Sequence, residues 1–162
     1  MTAIADRPVP DSGAPAAPPG LPHVDLLRLR ERLEPAERAR LDAIEDHLQT
    51  RVRPHLTRYW DAEEFAFDLL PGLAELGLGR LVLDGSSSLF QQLVHAEIAR
   101  VDLSLSALVG IHNELNLGMI AGLGSERQKT TWQGRLESFD ALGAFCLTEP
   151  DHGSDIAGGL AT

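Results

Sequence analysis

One stretch of 21 residues, from Leu103 to Leu123, limits the possible folds of this chain more than any other part of the sequence. Asp102 stands directly before it, where a carboxylate caps the first turn of a helix, and Gly124 stands directly after it. Drawn as a helix, the stretch points apolar side chains to all sides instead of forming one stripe. A helix of this kind is buried by other elements, so the stretch predicts the central helix of a helical bundle. The apolar residues are Leu105, Leu108, Val109, Ile111, Leu115, Leu117, Met119 and Ile120.

Apolar residues elsewhere recur at intervals of three or four, which is typical of amphipathic helices. Ser87 and Ser125 are suited to cap helices that follow them, and Gly77 is suited to end one. Pro54 and Pro71 lie inside helical patterns and predict an end or a kink, because proline lacks the N–H that a helix interior needs. Five helices are therefore predicted besides the central one, over about 21–33, 35–52, 63–76, 87–100 and 125–137.

The two ends of the chain differ in composition from this helical middle. Residues 1–20 are rich in Pro and Ala and have little to bury, so they are predicted to form a disordered tail. Residues 21–138 are predicted to form an all-α domain. Residues 139–162 are predicted to begin a β-containing unit, because the apolar run 144–147 favours a short strand that Pro150 would end. The predicted fold class is mostly α, a helical bundle followed by a first strand.

Composition excludes several classes of function. The chain has 24 acidic and 14 basic residues, and its net charge of −10 disfavours nucleic acid or an anionic membrane surface as a partner. Its one cysteine, Cys146, cannot form an internal disulfide, and its place in an apolar run favours a buried thiol in a reducing compartment. No apolar run reaches the 18 residues of a membrane span, and no secretory signal is present, so a cytoplasmic location is expected.

The segment from Phe145 to Asp155 carries the strongest functional signal in the sequence. It reads Phe-Cys-Leu-Thr-Glu-Pro-Asp-His-Gly-Ser-Asp, and its last three residues form a turn whose N–H groups could cradle an anion. The segment resembles the flavin-contacting signature of the acyl-CoA dehydrogenases, and its Asp-His pair is most similar to the glutaryl-CoA dehydrogenase branch. Residues 98–102 and 123–129 also resemble segments of that family, and the resemblance extends over about residues 22–162.

The resemblance implies an N-terminal portion of an FAD-dependent acyl-CoA dehydrogenase. In such a protein an all-α domain precedes a middle β-domain, of which the chain would hold only the first strand. The resemblance places Phe145, Leu147 and Thr148 against the flavin ring, and Gly153 and Ser154 at the FAD pyrophosphate. Ser154 would also border the acyl-CoA.

The resemblance also bears on the acyl group. The central helix, the fifth in chain order, borders the acyl pocket in this family. His112 is therefore a candidate for substrate contact, although a core histidine is the more ordinary role. The glutaryl branch holds the distal carboxylate of its substrate with an arginine in this helix, and that position is Ser106 here. Ala99 stands where the branch has a glutamate. Since neither side chain can pair with a carboxylate as arginine does, an uncharged acyl group is expected.

In the resembled family the catalytic base is a glutamate of the C-terminal helical domain, so no catalytic residue is assigned to this chain. The chain is therefore expected to be inactive alone. The resemblance further implies electron-transfer flavoprotein or another electron acceptor as a partner, and a homo-oligomer or association with other dehydrogenase chains. The alternative is a non-catalytic helical module that binds a partner through the surface that further domains would cover.

Two other kinds of site fit the sequence poorly. A dinucleotide-binding fingerprint needs three glycines between a strand and a helix, whereas the Gly-x-Gly pairs at 77–79 and 122–124 lack the third. A di-iron bundle needs Glu-x-x-His on two helices, and the spacing occurs only at Glu149 and His152, around Pro150. No metal is expected.

Overall fold

Three composite helices, each containing a π-helical segment, form the frame of the computed structural model, which describes residues 25–150 and 152–155. The first consists of α1 (Pro35–His47), a π segment (Leu48–Val52) and α2 (Arg53–Asp61). The central one consists of α5 (Leu103–Gly110), a π segment (Ile111–Leu117) and α6 (Gly118–Leu123). The last consists of α7 (Glu126–Gln128), a π segment (Lys129–Gln133) and α8 (Gly134–Glu137).

Shorter elements connect the first and central composite helices. A 3-10 turn (Phe67–Leu69) leads into α3 (Leu70–Glu75), and a 3-10 segment (Leu78–Leu83) follows it. The long helix α4 (Ser88–Val101) then packs against both α1 and α5. The predicted fold class, mostly α, is confirmed. None of the described helices is both long and apolar enough to cross a bilayer.

The core lies where α1, α4 and α5 meet. Apolar side chains that recur at intervals of three or four in the first composite helix and in α4 are fully buried there, as their spacing indicates. Dense packing of aliphatic side chains around Phe90 and Phe139 supplies the main apolar burial of the domain. The residues with no exposed surface are Leu41, Ile44, Leu48, Val52, Leu73, Leu78, Phe90, Val94, Ile98, Val109 and Leu117.

The predicted helix starts and stops are confirmed where the signal is local. The Ser87 hydroxyl accepts from the Phe90 N–H at 3.1 Å, and Asp102 Oδ1 accepts from the Leu105 N–H at 2.8 Å. Ser125 begins the last composite helix with a reciprocal capping box. Gly77 ends α3 with a φ of 76°, a conformation that glycine adopts without a Cβ clash.

The two prolines do not act as predicted. Pro54 is the second residue of α2, directly after a π segment, and the composite helix continues to Asp61. Pro71 is likewise the second residue of α3. In the first turn of α3 the missing N–H of Pro71 has no helical partner to lose. Pro54 lies inside the continuous composite helix, and a π segment directly before it replaces the predicted end. The predicted helix over 63–76 instead begins later, at the 3-10 turn of Phe67.

The central composite helix is not buried on all sides, and that prediction is wrong for the described structure. Its inner side includes Leu105, which is 1% exposed, and its outer side includes Leu103 and Leu123, which are 73% and 83% exposed. The residues described here cover the helix from one side, because α4 and the 3-10 segment both pack against its inner side. The outer side is left to contact something else.

Three further predictions at the ends need correction. Within the described part of 21–33, only Leu29–Arg32 forms a helical turn, and Leu26 is 89% exposed. The predicted strand 144–147 does not form, since no ladder partner is present in the described part of the chain. Cys146 is exposed rather than buried. The predicted disordered tail, residues 1–20, lies outside the described residues.

Candidate functional site

The signature segment Phe145–Asp155 leaves the helical bundle from a tight contact. Gly143 lies so close to the side chain of Asn116, in the central composite helix, that a Cβ at Gly143 would overlap it. Leu142 packs against the hydrophobic core. Because Gly143 has no side chain, the backbone can pack directly against Asn116 of the central composite helix at this point.

Beyond this contact the segment is closed on itself by one backbone pair. The Glu149 N–H donates to the His152 carbonyl at 3.0 Å, and the His152 N–H donates to the Glu149 carbonyl at 3.2 Å. The pair makes a narrow turn around Pro150, the residue that was predicted to end a strand. The turn holds Thr148 on one side of the pair and Gly153 and Ser154 on the other.

The predicted flavin-contacting residues lie on the surface of this segment. Phe145 is 43% exposed, Leu147 is partly buried, and Thr148, Gly153 and Ser154 are exposed. The hydroxyls of Thr148 and Ser154 and the N–H of Gly153 make no hydrogen bond within the described structure. A segment that exposes an aromatic ring and, further along, unpaired donors could contact a planar, phosphate-bearing ligand.

His112, the candidate for substrate contact, lies in the core. It is 1% exposed, its ring packs against Phe139 with centroids 4.8 Å apart, and its Nε2 lies 2.8 Å from the Leu136 carbonyl. Burial lowers the pKa of His112, although the bond to Leu136 opposes this shift, so the neutral ring donates from Nε2–H. Its Nδ1 has no partner among the described residues. His112 thereby ties the central composite helix to α8.

Ser106, the second candidate for substrate contact, lies at the crossing of α4 and α5. Its hydroxyl donates to the His95 carbonyl at 3.1 Å. The imidazole of His95 lies against Gly110, where a Cβ would be 3.5 Å from His95 Cε1. Burial lowers the pKa of His95, and the charge of Glu114 opposes that shift. Among the described residues, no polar contact joins Ser106 to the signature segment.

His95 is a residue of this region that sequence reasoning missed. Two residues further along α4, Glu97 has a structural role of its own. Glu97 is buried, and its carboxylate lies 2.5 Å from Arg100 Nη1. No local signal in the sequence points to His95, because its contacts with Ser106 and Gly110 depend on the crossing of α4 and α5.

The family follows from comparison with known proteins. Residues 34–140 match the family model described as the acyl-CoA dehydrogenase N-terminal domain. That match covers more than half of the chain, and the resemblance seen in the sequence is confirmed. The chain belongs to the acyl-CoA dehydrogenase family.

Particular relatives include mitochondrial isobutyryl-CoA dehydrogenase of Dictyostelium discoideum, 35% identical over 124 residues, covering 72% of this chain and 29% of the relative. An acyl-CoA dehydrogenase of Bacillus subtilis is 30% identical over 125 residues, covering 74% of this chain and 33% of the relative. The crystal structure of glutaryl-CoA dehydrogenase from Mycobacterium smegmatis superposes with a TM-score of 0.74 at 33% identity, over 83% of this chain and 36% of that one. A second structure of the enzyme, in complex with FADH2, gives a TM-score of 0.75 at 28% identity, with the same coverage. The chain spans about a third of the length of these relatives.

Proposed function

We propose that this chain supplies the N-terminal helical domain and the flavin-contacting loop of an FAD-dependent acyl-CoA dehydrogenase. Such an enzyme removes hydrogen from the α and β carbons of an acyl-CoA thioester. The observation that carries the proposal is the signature segment, in which Phe145, Thr148, Gly153 and Ser154 are all exposed and the donors of the last three make no hydrogen bond within the described structure. These groups match, in kind and order, what a flavin ring followed by a pyrophosphate requires.

Bound FAD would accept the hydride that leaves the acyl group. The part of this chain is to hold and tune that cofactor. Phe145 would lie against the ring, and the backbone of Leu147 together with the Thr148 hydroxyl would donate hydrogen bonds to its polar edge. Donors at that edge favour the electron-rich reduced ring. The Gly153 N–H and the Ser154 hydroxyl would bind phosphate oxygens, because glycine allows close approach of the backbone. Ser154 would also border the acyl-CoA.

The outer side of the central composite helix supports a need for further protein. Six residues at intervals of four form an exposed apolar stripe: Leu103, Ala107, Ile111, Leu115, Met119 and Leu123. A π segment has more residues per turn than an α-helix, so residues four positions apart stay on one side of this composite helix. Over 20 residues the stripe is about 30 Å long. A continuous exposed apolar surface of this kind marks an interface.

We infer that the rest of a dehydrogenase, about two thirds of the length of the relatives, covers this apolar stripe. That part would also supply the catalytic base, for which the chain offers no candidate. On this proposal the 162-residue chain is inactive alone and becomes active when the remaining domains pack against the stripe.

The acyl group accepted by the assembled enzyme is proposed to be uncharged. The Ser106 hydroxyl is directed to the His95 carbonyl, and the methyl of Ala99 offers no charge. His95 itself is held toward its neutral form by burial. No arginine stands at the Ser106 position to receive a carboxylate. His112, since it is buried, is assigned a positioning role between two helices in place of substrate contact.

A chimera tests the proposal. Residues 25–155 of this chain would replace the corresponding portion of the Bacillus subtilis acyl-CoA dehydrogenase, and the product would be passed through gel filtration after mixing with FAD. We expect the chimera to retain flavin and an acyl-CoA to bleach its absorbance band, whereas the 162-residue chain alone does neither. The double variant Thr148→Ala/Ser154→Ala should lose flavin, and Thr130→Ala, which changes an exposed hydroxyl on the last composite helix, should not.

Three results would count against it. Bleaching by the 162-residue chain alone would show that no further domain is required. Retention of flavin by the Thr148→Ala/Ser154→Ala variant would remove the assigned role of the signature segment. A folded chimera that retains no flavin would favour the alternative of a non-catalytic helical module that associates with dehydrogenase chains.

A further inference from the structure

A cleft of about 400 Å³ opens between the C-terminal end of α2, the loop over 62–66 and the first turn of α5. Its floor includes Leu56, Ala66 and Leu105, which are buried side chains of the domain. None of the residues that the resemblance assigns to FAD or to acyl-CoA lines this cleft. A volume of this size suits a small organic molecule.

Aromatic residues line the cleft, and contacts outside their rings hold them in place. Trp60 is 66% exposed, yet its indole N–H is fixed by a 3.0 Å bond to Asp102 Oδ2. Asp102 is itself held, because its other oxygen caps α5. The Tyr59 hydroxyl donates to Asp68, and the Phe65 ring contacts the Phe67 ring in a tilted arrangement, with centroids 4.9 Å apart and an interplanar angle of 60°. The aromatic walls are therefore formed before any ligand arrives.

The rim of the cleft carries uncompensated negative charge. Glu63 and Glu64 line it, both are exposed, and neither side chain has an ion pair or hydrogen bond in the described structure. Their backbone N–H groups bond to the carbonyls of Trp60 and Tyr59, at 3.2 and 3.0 Å, which keeps both residues beside the aromatic wall.

No lysine or arginine is among the lining residues, all of which belong to the described part of the chain. Arg58, the basic residue next to Tyr59 in sequence, lies over the Tyr59 ring and 3.7 Å from the Asp68 carboxylate, so its charge is already compensated. The cleft thus pairs aromatic walls with free carboxylates. This combination disfavours a phosphate-bearing ligand such as acyl-CoA and favours a cation.

We propose that this cleft binds a small organic cation, an ammonium group that carries apolar substituents. The aromatic side chains of Trp60 and Phe65 attract the charge, Glu63 and Glu64 add Coulomb attraction at the rim, and the aliphatic floor accepts the substituents. Binding here is independent of flavin and of acyl-CoA, because it uses none of their assigned residues.

Tryptophan fluorescence of the full 162-residue chain tests this site. The chain has two tryptophans, so the variant Trp132→Phe leaves Trp60 as the only reporter. The variant would be titrated with choline and with 3,3-dimethyl-1-butanol, which has the same shape without the charge. Saturation-transfer NMR on the ligand methyl groups gives a second readout. We expect saturable binding of choline with a dissociation constant at least about fivefold lower than that of the alcohol.

Charge variants locate the interaction. Glu63→Gln/Glu64→Gln should weaken choline binding about fivefold and leave the alcohol unchanged. The matched control, Glu75→Gln/Glu126→Gln, removes the same charge from exposed positions outside the cleft and should have no effect. The absence of binding in both readouts would overturn the proposal. Equal binding of the alcohol would show an apolar cleft that receives a neutral side chain of other protein. Equal weakening in the control would show general attraction to an acidic chain and would also overturn it.

Discussion

Arg30 Nη1 lies 2.8 Å from Glu45 Oε2, and this pair joins the turn that precedes α1 to the last turn of α1. The same guanidinium lies 2.6 Å from Asp42 and 3.5 Å from the buried Glu97 of α4. Arg30 precedes the part of the chain that matches the family model, which begins at residue 34. The segment over 25–33 is thus attached to the family domain by the contacts of Arg30 with three carboxylates, by the buried side chain of Leu33 and by Arg38, which donates to two carbonyls of the segment.

Replacement of Arg30 by Ala should destabilise the chain by about 1–3 kcal/mol, because it leaves Glu97 with one cation fewer in a buried site. Urea unfolding followed by circular dichroism measures the change. Arg28→Ala is the control, since Arg28 and Glu31 form an exposed pair whose contribution should stay below about 1 kcal/mol. Equal effects of the two substitutions would show that the contacts of Arg30 contribute no more than a surface pair.

Stability should fall as the pH is lowered from about 7.5 to 5, in part through His112. Burial lowers the pKa of His112 in the folded chain, so the unfolded chain binds a proton first as the pH falls. The contribution is fully present above the unfolded pKa, about 6.5, and is lost progressively below it. His47 and His95 shift in the same direction through burial, so they add to the slope.

The His112→Gln variant tests this prediction. Glutamine can still donate to the Leu136 carbonyl but does not titrate, so the variant should show a smaller loss of unfolding free energy between pH 7.5 and 5. Urea unfolding at both values gives the slope. An unchanged slope would mean that burial of His112 does not couple its protonation to folding.

Charge placed on the apolar stripe should leave the fold intact and prevent assembly. Ile111 and Met119 are 46% and 43% exposed, so Ile111→Lys/Met119→Lys should change helicity of the 162-residue chain little. It should reduce self-association in analytical ultracentrifugation, and in the chimera it should abolish flavin retention. Gln92→Lys, at an exposed position of α4, is the control. Loss of helicity in the double variant would show that the stripe is needed within the domain itself.

Gly143→Ala should displace the signature segment, because its Cβ would overlap the Asn116 side chain. In the chimera we expect FAD binding to weaken at least about tenfold, a cost of roughly 1.4 kcal/mol. Asn116→Gly should restore part of it by making room. Gly134→Ala, where an added Cβ meets nothing within 4 Å, is the control and should stabilise its helix by up to about 1 kcal/mol. FAD affinity unchanged by Gly143→Ala would separate the flavin site from this contact.

Local chemistry made much of the fold predictable. Ser87 and Asp102 cap the helices that follow them because the capping group and the N–H it accepts from lie three residues apart. Apolar spacing likewise placed the stripe of α4 in the core. The signature from Phe145 to Asp155 identified the family before any geometry was known, because Thr-Glu-Pro and Gly-Ser-Asp stand at a defined interval.

Tertiary contacts decided what pattern alone could not. The apolar residues of the central helix predict that it is packed on all sides. Only the contacts of α4 and the 3-10 segment show which side the described residues cover. The run 144–147 has strand composition, yet a strand requires a ladder partner, and the described residues offer none. The pairing of His112 with Leu136, and of Trp60 with Asp102, joins residues 24 and 42 positions apart. Sequence thus determined the helices, their caps and the family, because these depend on neighbours along the chain. The exposed stripe, the position of His112 and the aromatic cleft depend on distant neighbours, and only the folded chain brings those together.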